Sequence, residues 1–337
     1  MRISSLLFAC LFKTVFAASF GEQISDSGIS HSFLITGTKT AIIGEKCEIL
    51  WEVKAKSRDG EVLPNGNVLV TFANEVKEFT RDYNVVFHYK LAEGNKEIST
   101  AKRLENGNTM IAEMGAKPRI LEITPEGKMV IEVPVKPETS NTHMQIRMAR
   151  KLANGNYLVP HLLAFAIKEY SPKGEVVRTI KTDLPELGGR LKKNWPFTAI
   201  LLEDGRIMAN LTNGNKTVIF DKEGGVDWVF TSPQCADPCG GQFLENGNIV
   251  ACQYGSRGDA MPDAMEINSK KEVVWQFKAA NFRGVHEIHV LTTTEKLPGD
   301  YARNQSILRG RELMRSRVAA IGSSPMIAAA TATLRPG

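Results

Sequence analysis

The stretch KLANGNYLVP, residues 151–160, sets an Asn-Gly-Asn turn directly in front of an apolar strand. Asn-Gly tolerates the positive φ angles that two-residue hairpin loops demand, so the stretch predicts a reversal between antiparallel strands. The frame recurs as LPNGNVLV at 63–70, RLENGNTMI at 103–111, LLEDGRIMA at 201–209 and FLENGNIVA at 243–251. Counted from Asn65, Asn106, Asn154, Asp204 and Asn246, the intervals are 41, 48, 50 and 42 residues. That is too long for a hairpin repeat and too short for a domain with its own core. It suits a unit of about four strands that must stack on its neighbours.

A second element accompanies each turn. A strand is followed by an acidic residue beside an apolar one: Glu78-Phe79, Glu122-Ile123, Glu169-Tyr170, Phe220-Asp221 and Glu266-Ile267. A short turn and another strand come next, as NVVFHY, KMVIEV, EVVRTI, GVDWVF and EVVWQF. Phe87, Ile131, Arg178 and Trp275 lie nine positions after the acid, and Trp228 seven after Asp221, which reads as one shortened turn. β-Branched and aromatic residues favour extended chain, and the repeat region holds no sustained 3.6-residue apolar period. The expected class is all-β.

The ends of the repeat region complement each other. VHEIHVLTTTEK at 285–296 reads as the opening strands of a further unit, with Thr-Thr replacing Asn-Gly. TKTAIIGEKCEILWEV at 38–53 reads as the closing two strands of a unit, with Trp51 in the aromatic position. Together they complete one blade, which hides the sheet edges. The predicted architecture is a six-bladed β-propeller of four-stranded antiparallel blades over residues 32–300, its last blade closed by strands from both chain ends. A seventh blade would need strands that the C-terminal segment does not supply.

The NGN frame, the Glu-aromatic pair and the Gly-Xaa-Val-Val-Trp strand resemble secreted bacterial propellers of the arylsulfotransferase and quinoprotein (PQQ)-like repeat class, over about residues 32–296. The resemblance implies the fold more firmly than an activity, because propellers host enzymes, binders and scaffolds alike.

Residues 1–18 carry an early Arg, an apolar run interrupted by Lys13, and small residues at Ala17 and Ala18. They read as a secretory signal peptide, with an uncleaved N-terminus as the competing reading; a periplasmic or secreted protein without a transmembrane segment is expected. Export leaves Cys47, Cys235, Cys239 and Cys252. Cys235 and Cys239, flanking Ala-Asp-Pro, make a small disulfide conceivable, while Cys252 sits in an apolar strand as a buried thiol would. No His stands at ligand spacing from the Cys pair, so no metal site is expected. The net charge of +5 is scattered without aromatic interleaving, which argues against nucleic-acid binding. Residues 301–337 lack every repeat feature and read as a flexible or irregular tail. A monomer is expected.

Chemistry in a propeller concentrates where the innermost strands converge, and each of those strands runs into an Asn-Gly frame. Four positions before the first turn residue stand Lys102, Arg150 and Gln242; seven before stand Arg58, Arg147 and Cys239. Aligning the final segment gives His289 and His286 the same two positions. Four and seven differ in strand parity, so one regular strand cannot turn both sets toward the channel. Hydrogen bonding between blades is the plainer role for such groups. As a cluster, Arg147, Arg150, Arg119, Lys102 and Gln242 suit a small anionic ligand, and His286, His289 and His143 suit acid-base or nucleophilic work.

The resemblance implies sulfuryl transfer through a histidine, with His286 the preferred nucleophile. An unassigned exported propeller that binds a small anionic ligand or another exported protein is the leading expectation, and quinone-dependent oxidoreduction the weaker alternative. No cofactor is assigned. PQQ has little support, since Trp51, Trp228 and Trp275 belong between blades in such repeats, and calcium could call only on Asp259, Asp263 and Glu266, which read as part of a surface loop. Trp195-Pro196-Phe197 either presents an aromatic at the channel mouth or wedges between blades, the latter preferred. His161, in an apolar stretch, reads as a core residue.

Overall fold

The computed structural model describes residues 20–255, 261–279 and 284–295. The expected signal peptide, the tail and Asp259 lie outside these residues. Six antiparallel sheets form the blades of a propeller. Blade 1 is β25 (Val285–Thr294), β2 (Ser30–Gly37), β3 (Thr40–Ile43) and β4 (Ile49–Val53), paired in that order. Blade 2 is β5 (Asp59–Val62), β6 (Val68–Thr71), β7 (Glu75–Phe79) and β8 (Val85–Lys90). Blade 3 is β9 (Asn95–Arg103), β10 (Thr109–Gly115), β11 (Arg119–Ile123) and β12 (Met129–Pro134). Blade 4 is β13 (Arg150–Lys151), β14 (Tyr157–His161), β15 (Ala166–Tyr170) and β16 (Val176–Lys181). Blade 5 is β17 (Asn194–Leu201), β18 (Ile207–Asn213), β19 (Lys216–Phe220) and β20 (Val226–Phe230). Blade 6 is β21 (Pro238–Phe243), β22 (Ile249–Gln253), β23 (Ala264–Ile267) and β24 (Val273–Ala279), with β1 (Gly21–Ile24) added outside β24.

The ring closes as expected, with strands from both chain ends in one blade, but the division is one to three. β25 is a single ten-residue strand in which Thr292 and Thr293 pair with Ser32 and His31. Without a glycine to adopt positive φ, two β-branched threonines continue a strand and do not turn it. The strand β1 was not legible, being only four residues long.

The repeated turns are real reversals of a different type. Leu63 N donates to Asn67 O at 2.8 Å and Gly66 N to Leu63 O at 2.8 Å, with Gly66 alone at positive φ, 86°. This is a three-residue loop, a type I turn followed by a left-handed glycine. Asn65 contributes its side chain, Oδ1 accepting from Asn67 N at 3.0 Å.

The acidic position also proves more regular than it reads. Glu78, Glu122, Glu169 and Glu266 pair across to Phe87, Ile131, Arg178 and Trp275. In blade 5 the residue paired with Trp228 is Ile219, nine positions before it. Asp221 instead caps the following turn, accepting from Glu223 N and Gly225 N. No turn is shortened; an apolar residue stands in the acid's place.

Most large apolar side chains are buried between blades. Phe33 of blade 1 meets Trp275 and Phe277 of blade 6 edge-on, at ring separations of 5.8 and 4.9 Å. Full burial of side chains of this size contributes roughly 1.5–3 kcal/mol each, so apolar packing across the closure dominates its stability. No described helix is long and apolar enough to cross a membrane.

Candidate functional site

The parity conflict along the innermost strands is resolved by β-bulges. In β25, Glu287 pairs with Thr36 and Val285 with Gly37, which leaves His286 extra. Phe197 is likewise extra between Pro196 and Thr198 in β17, and Ser99 between Ile98 and Thr100 in β9. In β21 the bulge falls between Pro238 and Gly241 and contains Cys239. A bulge re-aims one side chain without displacing the rest of the strand. Five of the six positions seven before the turn residue therefore line one cavity, Ser99 bonding instead to the Ala112 carbonyl, while Lys102 and Arg150, four before it, meet Asp59 and Glu287, six before it.

That cavity, about 450 Å³, forms a mouth at the starts of the innermost strands of five blades. Arg58, Arg147, Phe197, Cys239 and His286 line it, together with His143, Trp195, Asp237 and Tyr254. The Trp195-Pro196-Phe197 segment thus presents two aromatics to the mouth, the less favoured of its two readings.

His286 is clamped. Its ring lies parallel to Tyr254, with centroids 4.8 Å apart, and to Phe197 at 6.2 Å. Nδ1 faces the Ser57 carbonyl at 3.1 Å and must donate to it, so the proton of the neutral ring sits on Nδ1 and Nε2 carries the lone pair. Burial, reinforced by the charges of Arg58 and Arg147, lowers its pKa to about 4. His286 is therefore neutral at pH 7, with its tautomer fixed by a carbonyl.

Arg147 is the unusual charge of the mouth. It is 4% exposed, and its donors reach only neutral acceptors: the Ile146 carbonyl at 2.9 Å, the His143 carbonyl, and Met114 Sδ at 3.4 Å. Its Nε is buried without a partner. Burial, then the neighbouring Arg58, lowers its pKa to about 10. Arg58 by contrast is neutralised by Glu97 at 2.8 Å, which His143 Nδ1 approaches at 3.1 Å from the rim. The hydrogen bond from His143, with the charge of Arg58, holds Glu97 below the usual carboxylate range.

Below the mouth the expected anion ligands are already engaged. Arg150 contacts Glu287 at 3.0 Å and Asp59 at 3.7 Å; Lys102 contacts Asp59 at 3.0 Å; Thr100 donates to Asp59. Glu287 Oε1 also accepts from the backbone N–H groups of Gly241 and Ile288. Five innermost strands are tied together here. Sequence reasoning passed over Asp59 and Glu287, although both lie six positions before the turn frame, on the same strand face as the cations four before it.

The remaining candidates disperse. His289 Nδ1 accepts from Val62 N at 3.1 Å, and burial lowers its pKa to about 4. Gln242 Oε1 accepts from Val290 N at 3.0 Å. Arg119 lies away from the axis on β11, bound to Glu113 and Glu132 at 2.9 and 2.7 Å. Cys235 and Cys239 are buried free thiols in this structure and form no bridge. His161 is fully buried, bonded to Glu138 and Tyr170. Asp263 accepts from the Ala279 N–H and Glu266 binds His31. Among the described residues no group of three or more His, Cys, Asp or Glu side chains converges as a metal site would.

No protein-family model matches the chain, and no curated protein sequence matches it. Several solved structures share its fold. A protein of unknown function from Bacteroides caccae is 22% identical with a TM-score of 0.69, over 78% of this chain and 99% of that one. A streptogramin B lyase is 16% identical with a TM-score of 0.53, over 78% and 87% of the two chains. A catalytically inactive histidine-to-alanine form of virginiamycin B lyase from Staphylococcus aureus, solved with quinupristin, is 15% identical with a TM-score of 0.53, over 76% and 87%. At these identities the likeness shows the β-propeller fold and nothing finer.

Proposed function

We propose that the mouth binds a small anionic ligand, in a monomeric propeller exported to the periplasm or beyond. The observation that carries the reading is Arg147: a buried guanidinium held only by neutral acceptors, its Nε unpartnered, beside a cavity of about 450 Å³. A buried cation with no carboxylate in direct contact is costly, Glu97 acting on it only at longer range, and an anion in the mouth would supply a close counter-charge. Lys56, also in the lining, adds to the potential. The apolar faces of Phe197 and Trp195 suit the uncharged part of an organic anion. Calorimetry with sulfate, phosphate and small organic carboxylates tests the reading. Binding should weaken at least tenfold in Arg147→Met, the loss of one charge-assisted contact; retention of full affinity in that variant would defeat it.

Sulfuryl transfer of the arylsulfotransferase type is the second reading, favoured by the free Nε2 lone pair of His286. In that chemistry Nε2 attacks sulfur, the S–O bond to the aryl group breaks, and the phenolate departs with the bond pair and takes a proton from water. An acceptor phenol then attacks sulfur, the S–N bond breaks with its pair returning to Nε2, and the phenol's proton passes to the hydroxide left by the first step. Arg147 would bear the charge on the sulfuryl oxygens. The lyase neighbour inactivated by a histidine-to-alanine change lends precedent for a propeller histidine in catalysis, though at 15% identity it carries only the fold. Turnover of 4-nitrophenyl sulfate with a phenol acceptor, abolished in His286→Ala, would establish this reading over simple binding. Quinone chemistry gains no support, since Trp51 and Trp275 are buried in the interblade core away from the mouth.

A further inference from the structure

We infer that a second groove, formed by blade 3 and the connection that leads from it to blade 4, is a docking site for an acidic peptide segment of a partner protein. The groove holds about 820 Å³ and is walled by the start of β9, the β10–β11 turn and the connection from β12 to the 3₁₀ turn Thr142–Met144. Thr142 and Gln145 line this groove, and His143 and Met144 line the mouth, so that single turn separates the two cavities.

Its charge is one-sided. Lys96, Lys117 and Lys136 are exposed along it, and none has a carboxylate within ion-pair distance among the described residues. Glu132 is the one acidic side chain in the lining, and Arg119 already neutralises it at 2.7 Å. Between the lysines the surface is apolar and rigid, formed by Pro118, Pro134, Val135 and Pro137. Three cations around a proline-valine floor complement an extended chain that alternates carboxylates with small apolar side chains.

The same lining argues against other polyanions. Single-stranded nucleic acid wants aromatic platforms interleaved with the basic groups. No lining residue of this groove is aromatic. A peptide needs no such platform: its carboxylates meet the ammonium groups and its apolar side chains meet the prolines.

The floor is held independently of any partner. Gln145 is buried, Oε1 accepting from Gly115 N at 3.0 Å and Nε2 donating to Gly115 O at 3.0 Å. Val135 N donates to Pro118 O at 2.9 Å. The groove is therefore preformed, which lowers the ordering cost of docking.

The test uses the full chain and two fluorescein-labelled ten-residue probes, one alternating Glu with Pro and Val and one with Gln in place of Glu. Fluorescence anisotropy should show binding of the acidic probe that weakens as salt rises from about 50 to 300 mM, because exposed charges are screened. The Gln probe should bind at least tenfold more weakly. Lys96→Met, Lys117→Met and Lys136→Met combined should lower affinity for the acidic probe about tenfold, since each exposed contact is modest alone. Lys270→Met, which removes an exposed lysine from a turn of blade 6, should leave it unchanged. Equal affinity in the triple methionine variant, no binding of the acidic probe, or displacement of it by a sulfated oligosaccharide at lower concentration than by unlabelled peptide would each overturn the inference. Because the substituted lysines are exposed, an unchanged melting temperature in the triple variant separates loss of docking from loss of fold.

Discussion

His31 of blade 1 and Glu266 of blade 6 meet through Nε2 and Oε2 at 2.8 Å, both fully or almost fully buried, and so fasten the two ends of the repeat region together. Burial works to raise the Glu266 pKa, yet the bonds from His31 and Asn248 hold it below the ordinary carboxylate range. Two equivalent acids latch earlier blades to the blade that follows, whereas Glu169 of blade 4 accepts from Asn154 and Asn156 of its own blade. Glu78 of blade 2 takes Arg103 of blade 3 at 2.5 Å, and Glu122 of blade 3 takes Lys151 and Tyr157 of blade 4. Removing one member of such a buried pair strands the other, at a cost of about 3–5 kcal/mol. His31→Ala is expected to lose about that much stability in urea denaturation, while His31→Leu combined with Glu266→Leu recovers part of it. A loss below about 0.5 kcal/mol, the range of an ordinary surface substitution, would mean that the apolar packing of Phe33 on Trp275 and Phe277 closes the ring unaided.

Where the acid is missing, its partner has changed too. Ile219 holds the acid's place in blade 5, and Phe243 of blade 6, three positions before its turn, packs in the same apolar cluster. Ile42 and Val62 share a cluster between blades 1 and 2 in the same manner. These two junctions are matched apolar with apolar, whereas Glu169 of blade 4 finds its polar partners, Asn154 and Asn156, within its own blade. Ile219→Glu should destabilise the protein by about 3 kcal/mol, the penalty of an uncompensated buried charge. Adding Phe243→Arg should restore at least a third of that loss, as a double-mutant cycle in chemical denaturation would register. Simple additivity of the two substitutions would show that the sites do not face one another as these clusters place them.

The repeat was readable because turn chemistry and strand periodicity are local. Asn65 and Gly66 announce a reversal whatever lies around them, and Phe87, Ile131 and Trp275 keep a fixed distance from their acids. Ile219 escaped because the neighbouring Asp221 offered a more obvious acid two positions away. The site was less legible because it depends on bulges. Nothing in the sequence beside His286 or Phe197 marks the extra residue that turns each into the mouth, and the partners of Arg150 come from blades 1 and 2. Asp59 and Glu287 were within reach, since two steps along a strand keep the same face. That Lys102 and Arg150 are spent on those acids, whereas Arg147 is not, is a property of three-dimensional neighbours alone.

The cysteines offer a direct chemical check. Cys47, Cys235, Cys239 and Cys252 are all buried and free, and burial pushes the Cys235 thiol up to about 12 and those of Cys239 and Cys252 higher than usual. The thiolate is the reacting species, so all four should be slow toward an aromatic disulfide reagent at pH 8. In a chain carrying Cys10→Ser, four equivalents should react only on unfolding, and dithiothreitol should not move the melting temperature. A reductant-dependent fall in melting temperature would indicate that Cys235 and Cys239 bridge in the exported protein.

Glu287, His286 and His289 give the stability of the fold opposing responses to pH. Burial raises Glu287 to about 7 despite the nearby Lys102 and Arg150, against an ordinary value of 4.5. The folded state therefore holds a proton that the unfolded chain releases, and the stability this contributes is complete below pH 4.5 and lost as pH rises through 7. His286 and His289 are lowered to about 4 from 6.5, so their contribution is present above pH 6.5 and lost as pH falls through 4. Between pH 4.5 and 6.5 the two effects partly cancel. Glu287→Gln removes one of them: its stability should rise from pH 4 to 6.5 and then level off, whereas the unaltered protein loses ground relative to it from pH 4.5 to 7. Denaturation curves at half-unit pH intervals for both proteins decide the matter. A constant difference between them across that window would show that Glu287 stays ionised beside Arg150, with the ion pair and not burial governing its charge.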